Sequence, residues 1–394
     1  MRALVLMRGA PGCGKSTWLK NFGLTDYALS ADALRLLMQS PVMDHNNGTF
    51  QISQRNDRFV WDLLFQMLEK RMERGELCIV DACHSKSQDF AKYKKLIEKY
   101  RYRLYCIDFS SIPLNVCLMQ NMNRPEYKRV PEVVVENIYS RFRNQDVPGY
   151  CKVIDYGDVS SIKSLLKEWK PMDADQYKKV VVVGDIHGCY DPLKKWFDEH
   201  PFSEENLYVF IGDYIDRGLE NDKVVEWLLQ HYDRKNVVLL EGNHERWLRE
   251  YADEEYDDEI RAGKRDKCKS SEFFDYTSKQ LEKFKKKDLR NVCRKFSAVC
   301  YLKFRDKKFF ITHAGVGFVP PSVMQVAASE FIKSNEYESD VDAQFEAHLT
   351  DTDVYQIHGH RNSQKHEIQV TPHSFNLCGD CEFGGDLRIL EIEE

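Results

Sequence analysis

Short apolar runs recur along the chain, each closed by glycine or a carboxylate. Residues 3–8 (ALVLMR) end against Gly9, residues 76–82 (ELCIVDA) carry Asp81 at their end, and residues 102–109 (YRLYCIDF) form a third run. Runs of this length bounded by turn residues predict buried strands. Helical stretches lie between them: STWLKNF opens just after the first glycine-rich loop, and RFVWDLLFQMLEKRME occupies 58–73. Strands separated by helices of this length predict βαβ units and a parallel sheet. A second series begins at KKVVVVGDIHG (178–188) and continues with LYVFIGD (207–213) and NVVLLEGNH (236–244). Later, KFFITHAG (308–315) and DVYQIHGH (353–360) each place a histidine just past a strand. There is no internal repeat. The polar stretch EWKPMDADQY (168–177) divides the two series, so the predicted domains are 1–170 and 171–394, both α/β.

A length of 394 residues agrees with that division, at roughly 100–200 residues per domain. An aromatic content of 12% and a hydrophobic content of 42% exclude a disordered chain. No window approaches the length of apolar sequence that a transmembrane helix needs. The N-terminus, MRALVLMRGAPGCGKS, passes straight from a short apolar run into a glycine-rich loop and does not read as a signal peptide. Twelve cysteines without a secretory signal read as reduced thiols, which predicts a cytoplasmic protein, in a bacterial cell or an infected host cell. The net charge of −6 conceals an asymmetry. Residues 1–170 carry 26 Lys and Arg against 19 Asp and Glu, a balance of +7; the remainder carries 31 against 44, a balance of −13. Two modules with different partners are implied. Residues 250–290 hold an acidic run (DEEYDDE) and then a lysine-rich one, which predicts a solvated helical insertion.

The first candidate site is Gly9-Ala10-Pro11-Gly12-Cys13-Gly14-Lys15-Ser16, a full G-x-x-x-x-G-K-[ST] between a strand and a helix. Glycines allow backbone N–H groups to turn onto phosphates, with Gly9, Gly12, Gly14 and Thr17 lining the loop. Lys15 would reach the β- and γ-phosphates of ATP, and Ser16 would hold Mg²⁺. Asp32 and Arg35 stand three residues apart in SADALR; they fit a base for an acceptor hydroxyl and a phosphate grip, or equally an N-cap aspartate beside a surface arginine. NRPEYKRVP (123–131) packs Arg124, Lys128 and Arg129 between prolines, as a phosphate-clamping lid or a plain basic loop. Together the loop, the D-x-x-R of Asp32 and Arg35, Asp81 in VDACH and the R-P-E-x-x-R-V-P segment resemble 5′-OH polynucleotide kinases. That resemblance implies Asp32 as general base on the 5′-hydroxyl, Arg35 on the acceptor phosphate, and Arg124, with Arg129, on the ATP phosphates.

The second half carries hard-ligand residues at five strand ends: Asp185 and His187 in GDIHG, Asp213, Asp216 and Arg217 in GDYIDRG, Asn243 and His244 in GNHE, then His313 and His360. This mixture of carboxylate, amide and imidazole suits Mn²⁺, Fe or Zn²⁺. The pattern D-x-H … G-D-x-x-D-R-G … G-N-H-E … H … G-H resembles the calcineurin-like metallophosphoesterases. The resemblance implies two divalent metals, with Mn²⁺ or Ni²⁺ expected, bridged by Asp213. Asp185 and His187 would complete one site, and Asn243, His313 and His360 the other. It further implies Arg217 on phosphate oxygens and His244 as the acid for the leaving alkoxide, oriented by Asp216. The C-terminal stretch departs from the pattern: where a metal-site aspartate is expected (N-I-D-T-G-C-V-F-G-G), this chain has NLCGDCEFGG, with Cys378 at that place and Asp380 two residues on.

In this order the two halves resemble the kinase and phosphatase modules of bacterial polynucleotide kinase-phosphatases, without the ligase module. An RNA end-healing enzyme is implied: ATP-dependent phosphorylation of 5′-OH ends and removal of 3′-phosphate or 2′,3′-cyclic phosphate. RNA ends, DNA ends as a second acceptor, and a separate ligase are the expected partners; no membrane is expected, and a homodimer stays open. Two competing readings remain. One is a phosphoprotein phosphatase or dinucleoside-polyphosphate hydrolase with a nucleotide-sensing P-loop domain. The other is a nucleotide-gated RNA-binding scaffold without catalysis.

Overall fold

A computed structural model describes residues 2–45, 48–166, 171–253, 272–334, 337–361 and 367–393. The chain separates into two compact units, Met1–Glu168 with Ser322–Ala327, and Trp169–Pro321 with Ala328–Glu394.

The first unit is built on a five-stranded, all-parallel sheet. Its strand order is Ala28–Ser30, Cys78–Asp81, Ala3–Arg8, Arg103–Asp108, Cys151–Asp155. Ala3–Arg8 is central and buried at every residue. Its alternate side chains serve two cores. Ala3, Val5 and Met7 pack with Leu19, Phe109 and Val135, and Leu4 and Leu6 pack with Val80 and the helix Asp57–Glu73. That helix buries Val60, Leu64, Leu68 and Met72, four residues at i, i+4 spacing that form one stripe against the sheet. A strand sandwiched this way needs apolar residues on both faces, which is why ALVLMR reads as a continuous run rather than an alternation. The edge strand Cys151–Asp155 is mostly exposed instead, burying only Cys151 and Ile154.

The second unit packs two sheets face to face. One has the order Val237–Leu239, Asn206–Phe210, Lys179–Val183, Ile389–Ile392, parallel except for the last. The other runs Gln369–Thr371, Ser374–Asn376, Val354–His358, Lys307–Thr312, Val299–Phe304, Met172–Asp173. Val180 and Val182 face the second sheet, meeting Leu302, Phe309 and Ile357. Val181 and Val183 point the other way, onto Leu193, Val224 and Leu228 of the helices Tyr190–Glu199 and Asn221–His231. The fold is thus α/β in both units, a P-loop-type parallel sheet followed by a helix-flanked sandwich. The acidic run predicted within the 250–290 insertion lies, beyond Asp253, outside the described residues; its flanks are helical at Glu245–Ala252 and Lys286–Cys293. Among the described residues no helix is long and apolar enough to cross a membrane.

Candidate functional site

Parallel strands present their carboxyl ends on one edge, so the loops after them converge. In the second unit the loops after Lys179–Val183, Asn206–Phe210, Val237–Leu239, Lys307–Thr312 and Val354–His358 carry Asp185 and His187, Asp213, Asn243 and His244, His313, and His360. Asp213 lies at the middle. Its Oδ2 is 3.4 Å from His187 Nε2 and 3.2 Å from His313 Nε2. Asn243 Oδ1 is 3.3 Å from His313 Nε2, and Asp185 Oδ1 is 3.6 Å from His313 Nδ1. His187, Asp213 and His244 form one group of donor atoms close enough to share a cation, and Asp213, His313 and His360 another. The two groups share Asp213, as a binuclear centre requires; Asp185, expected in the first, falls in neither group, and His244 stands there instead.

The backbone around them is held in costly conformations. His187, Asp213, Asp216, Arg217 and His360 all have positive φ, between 45° and 73°. Non-glycine residues adopt that region only when the surroundings enforce it, and they gather at functional sites. The enforcement is visible at Gly242. A Cβ there would lie 2.2 Å from Asp213 Oδ1 and 2.3 Å from its backbone nitrogen, so only glycine lets the two loops meet. Glu245, fully buried, accepts hydrogen bonds from the backbone N–H groups of Gly242, Asp213 and Tyr214 at 2.8, 2.8 and 2.9 Å. It ties both loops to one carboxylate. Burial first, and then the charge of Asp213, push its carboxyl up to about 8.

The electrostatics fit divalent cations. Asp185 Oδ1 and His360 Nε2 are buried with no hydrogen-bond partner among the described residues, which is expensive unless something else satisfies them. The Nδ1 atoms of His187 and His313 face the backbone carbonyls of Ile215 and Ile211 at 3.2 and 3.0 Å. With Nδ1 engaged by those carbonyls, Nε2 is in each case the ring nitrogen turned toward Asp213 and placed to ligate a cation. Burial alone would raise Asp213, but His313, His244 and His187 hold it well below the carboxylate range. His360 is pushed down to about 3 by burial and by His313, so it stays a neutral donor. His358 is committed elsewhere, with Nε2 2.9 Å from Asp342, which leaves His360 as the donor of the H-G-H pair. Oxygen and imidazole donors in this mixture fit Mn²⁺- or Zn²⁺-type ions.

His244 stands beside this group. Its Nδ1 is 2.7 Å from Asp216 Oδ2, and Asp216 Oδ1 accepts from Thr277 Oγ1 at 2.6 Å. Burial would lower the His244 imidazole, but Asp213 and Asp216 outweigh it and raise its pKa. Arg217 reaches back through Nη1, 2.8 Å from Glu382 Oε1. Cys378 is buried, its thiol pushed up mainly by burial, with Sγ 3.6 Å from Asp380 Oδ1. Asp380 Oδ2 is buried without a hydrogen-bond partner among the described residues. The Cys378-x-x-Cys381 spacing does not bring its two thiols to one point: Cys381 Sγ turns to Ile186 O at 3.2 Å and pairs with Cys189.

In the first unit, Lys15 is buried with Nζ on the carbonyl oxygens of Gly9 and Ala10 at 2.8 and 3.1 Å. Burial would lower its ammonium, but Cys83, Cys13 and Asp81 more than compensate and raise it. Gly12 has φ +83, and a Cβ there would lie 2.1 Å from Cys117 O, so this turn admits no side chain. Ser16 Oγ donates to Asp81 Oδ2 at 3.1 Å, a hydroxyl–carboxylate pair of the hard-oxygen type Mg²⁺ takes. Thr17 is exposed next to it. Ser30, not Asp32, caps the helix Ala31–Met38; its Oγ accepts from Ala33 N at 3.4 Å. Arg35 is no surface arginine: its side chain is 11% exposed and is held by Asp32 at 2.6 Å and by Asp57. In the 123–131 segment Asn121 clamps Val130 through two hydrogen bonds of 2.7 and 3.0 Å, and Arg129 Nε donates to Arg124 O at 2.9 Å.

The family model of calcineurin-like phosphoesterases matches residues 178–382. The chain belongs to that family. A divalent-metal phosphoesterase domain is therefore preceded by a P-loop domain, since residues 4–145 match a second family model, described as an AAA domain. The comparison with curated proteins gives no match. Among solved structures, a putative diadenosine tetraphosphatase is 16% identical at a TM-score of 0.40, covering 57% of this chain and 94% of its own. A cold-active protein-tyrosine phosphatase of a psychrophilic Shewanella species is 16% identical at 0.36, covering 63% and 84%. A serine/threonine phosphatase from Saccharomyces cerevisiae is 12% identical at 0.34, covering 58% and 78%.

Sequence reasoning leaves several residues of the phosphoesterase domain without a role that the structure brings into the site. Glu245 stands in GNHE as a plain glutamate, and only the fold shows it holding three backbone N–H groups. Asn221, whose Oδ1 accepts from Asp216 N at 2.7 Å, and Thr277 are remote in sequence and carry no motif. Glu382 sits in the departing C-terminal stretch and has no pattern to mark it.

Proposed function

We propose that the protein is an RNA end-healing enzyme, with DNA ends as a second acceptor. One domain phosphorylates 5′-OH ends from ATP·Mg²⁺, and the other removes 3′-phosphate or 2′,3′-cyclic phosphate, leaving ends that a ligase can join. The observation that carries this reading is the joining, in one chain, of the Asp32–Arg35 pair beside a P-loop to the Asp213-centred metal constellation. Cleavage that leaves a 5′-OH and a 2′,3′-cyclic phosphate produces one substrate for each.

In the kinase half, Asp32 accepts the proton of the 5′-hydroxyl, and Arg35, braced by Asp57, grips the acceptor phosphate bidentately. Lys15 leaves the carbonyls of Gly9 and Ala10 for the β- and γ-phosphates; Ser16 with Asp81 would hold Mg²⁺, and Arg124 and Arg129 clamp the transferring phosphate. In the phosphoesterase half, Asp185, His187 and Asp213 would hold one divalent ion, and Asp213, Asn243, His313 and His360 the other. Divalent ions held there, with Mn²⁺ or Ni²⁺ expected, would supply Lewis acidity toward phosphoryl oxygens and a bound water. Arg217 binds phosphate oxygens. His244, whose pKa Asp213 and Asp216 raise, gives its proton to the departing ribose oxygen.

The kinase half is tested with γ-labelled ATP and a 5′-OH RNA oligonucleotide. Wild type transfers label, and Lys15→Ala loses about 10²-fold or more of the rate, the scale of a lost charge clamp. Undiminished transfer by Lys15→Ala sinks the assignment.

A further inference from the structure

Arg217 is half open to solvent and needs a fixed guanidinium if it is to select a tetrahedral oxyanion. Arg217 itself has positive φ, which sets its stem but not its head. The head is held by Glu382. This glutamate lies on the turn Cys381–Phe383, and its side chain is 1% exposed against 36% for Arg217. Arg217 Nη1 donates to Glu382 Oε1 at 2.8 Å and lies 3.2 Å from His187 Nε2. The turn is itself anchored. Asp380 and Gly384 flank it in the left-handed region, Gly385 N donates to Asp380 O at 3.0 Å, and Cys381 Sγ donates to Ile186 O at 3.2 Å, one residue before His187.

A carboxylate this deeply buried is costly without a counterion, and truncating one partner of such a pair strands the other. The only hydrogen bonds from the Arg217 side chain among the described residues run through Nη1. A guanidinium is a rigid planar fork, and the Nη1 contacts to Glu382 and His187 restrict the orientations open to it. The Nε–H and Nη2–H edge is then left for a second planar or tetrahedral anion.

The geometry points to Glu382 as a positioning residue for the phosphoesterase reaction: it locks the Arg217 guanidinium so that the Nε/Nη2 edge meets the phosphoryl oxygens. This rests on the phosphoesterase reading of the site and not on its polynucleotide substrate. Glu382 acts through Arg217, although its Oε1 is also 3.7 Å from His187 Nε2 and its Oε2 is buried with no hydrogen-bond partner among the described residues.

The test is a double-mutant cycle on the metal-loaded full chain, read by calorimetric binding of inorganic phosphate and by hydrolysis of p-nitrophenyl phosphate, which needs no polynucleotide. Arg217→Ala and Glu382→Ala should each weaken phosphate binding and raise KM about tenfold or more, the scale of a lost charge-assisted hydrogen bond. Glu382→Gln, which keeps an acceptor oxygen for Nη1, should recover most of the loss. In the double variant the loss should equal that of Arg217→Ala alone, because non-additivity marks residues acting as one unit. Mn²⁺ affinity and melting temperature should be unchanged in Glu382→Gln. Additive losses, or a Glu382→Gln variant as weak as Glu382→Ala with Mn²⁺ affinity reduced, would overturn the proposal and make Glu382 a metal-site residue. Phosphate binding untouched by Arg217→Ala would instead refute the phosphate-clamp role assigned to Arg217 itself.

Discussion

His244 is the residue whose surroundings say most about chemistry. Its raised pKa comes from Asp213 and Asp216, against the opposing effect of burial. In its proposed role as general acid His244 must be protonated, so turnover should fall as pH rises through that raised value. Asp216→Asn removes one of the two charges that raise it, so the alkaline limb of kcat should move to lower pH. Leaving-group dependence gives a second check at the same residue. His244→Asn should lose about 10²–10⁴-fold on an alkyl or ribose phosphate, and far less on p-nitrophenyl phosphate, whose leaving group departs without a proton. An equal loss on both substrates would contradict the assignment. Lys15 shows the complementary case, a cation parked on the Gly9 and Ala10 carbonyls, from which the proposed ATP phosphates would draw it away.

At the scale of elements, the site depends on loops that can meet only because of what their neighbours lack. Gly242→Ala would drive a methyl into Asp213 Oδ1 and its backbone nitrogen. The central carboxylate must then move, and the variant should lose most of its bound divalent metal while its circular-dichroism spectrum stays near wild type. Elemental analysis decides this; full metal content in Gly242→Ala would show that Asp213 does not need its present position. The strands that present these loops are legible in the sequence because strands buried on both faces give unbroken apolar runs, as in ALVLMR and VVVV. Several edge strands are not. Cys151–Asp155 buries only Cys151 and Ile154, Ala28–Ser30 is three residues long, and Ile389–Ile392 pairs antiparallel at the far end of the chain. Such segments carry too little periodicity to stand out from loops. The same divide runs through the site. Asp185, His187, Asp213, Asn243, His313 and His360 stand at strand ends in a readable order, whereas Glu382 and Thr277 act across long sequence separations that no spacing encodes.

For the molecule as a whole, the charge asymmetry becomes a statement about partners. The +7 half holds the loop proposed to take ATP and a polynucleotide end, where phosphate contacts make affinity fall steeply with salt. The acidic half holds the carboxylates of the metal constellation, although these are few against a balance of −13. If each half works on its own chemistry, disabling one leaves the other intact. The most direct measurement incubates an RNA bearing a 5′-OH and a 2′,3′-cyclic phosphate with ATP, Mg²⁺ and Mn²⁺, and reads both ends. Wild type should yield a 5′-phosphate and a free 3′ end, Lys15→Ala only the free 3′ end, and Asp213→Ala only the 5′-phosphate. An RNA left unaltered at both ends, by a preparation that still cleaves a dinucleoside polyphosphate or a phosphopeptide, would contradict the account.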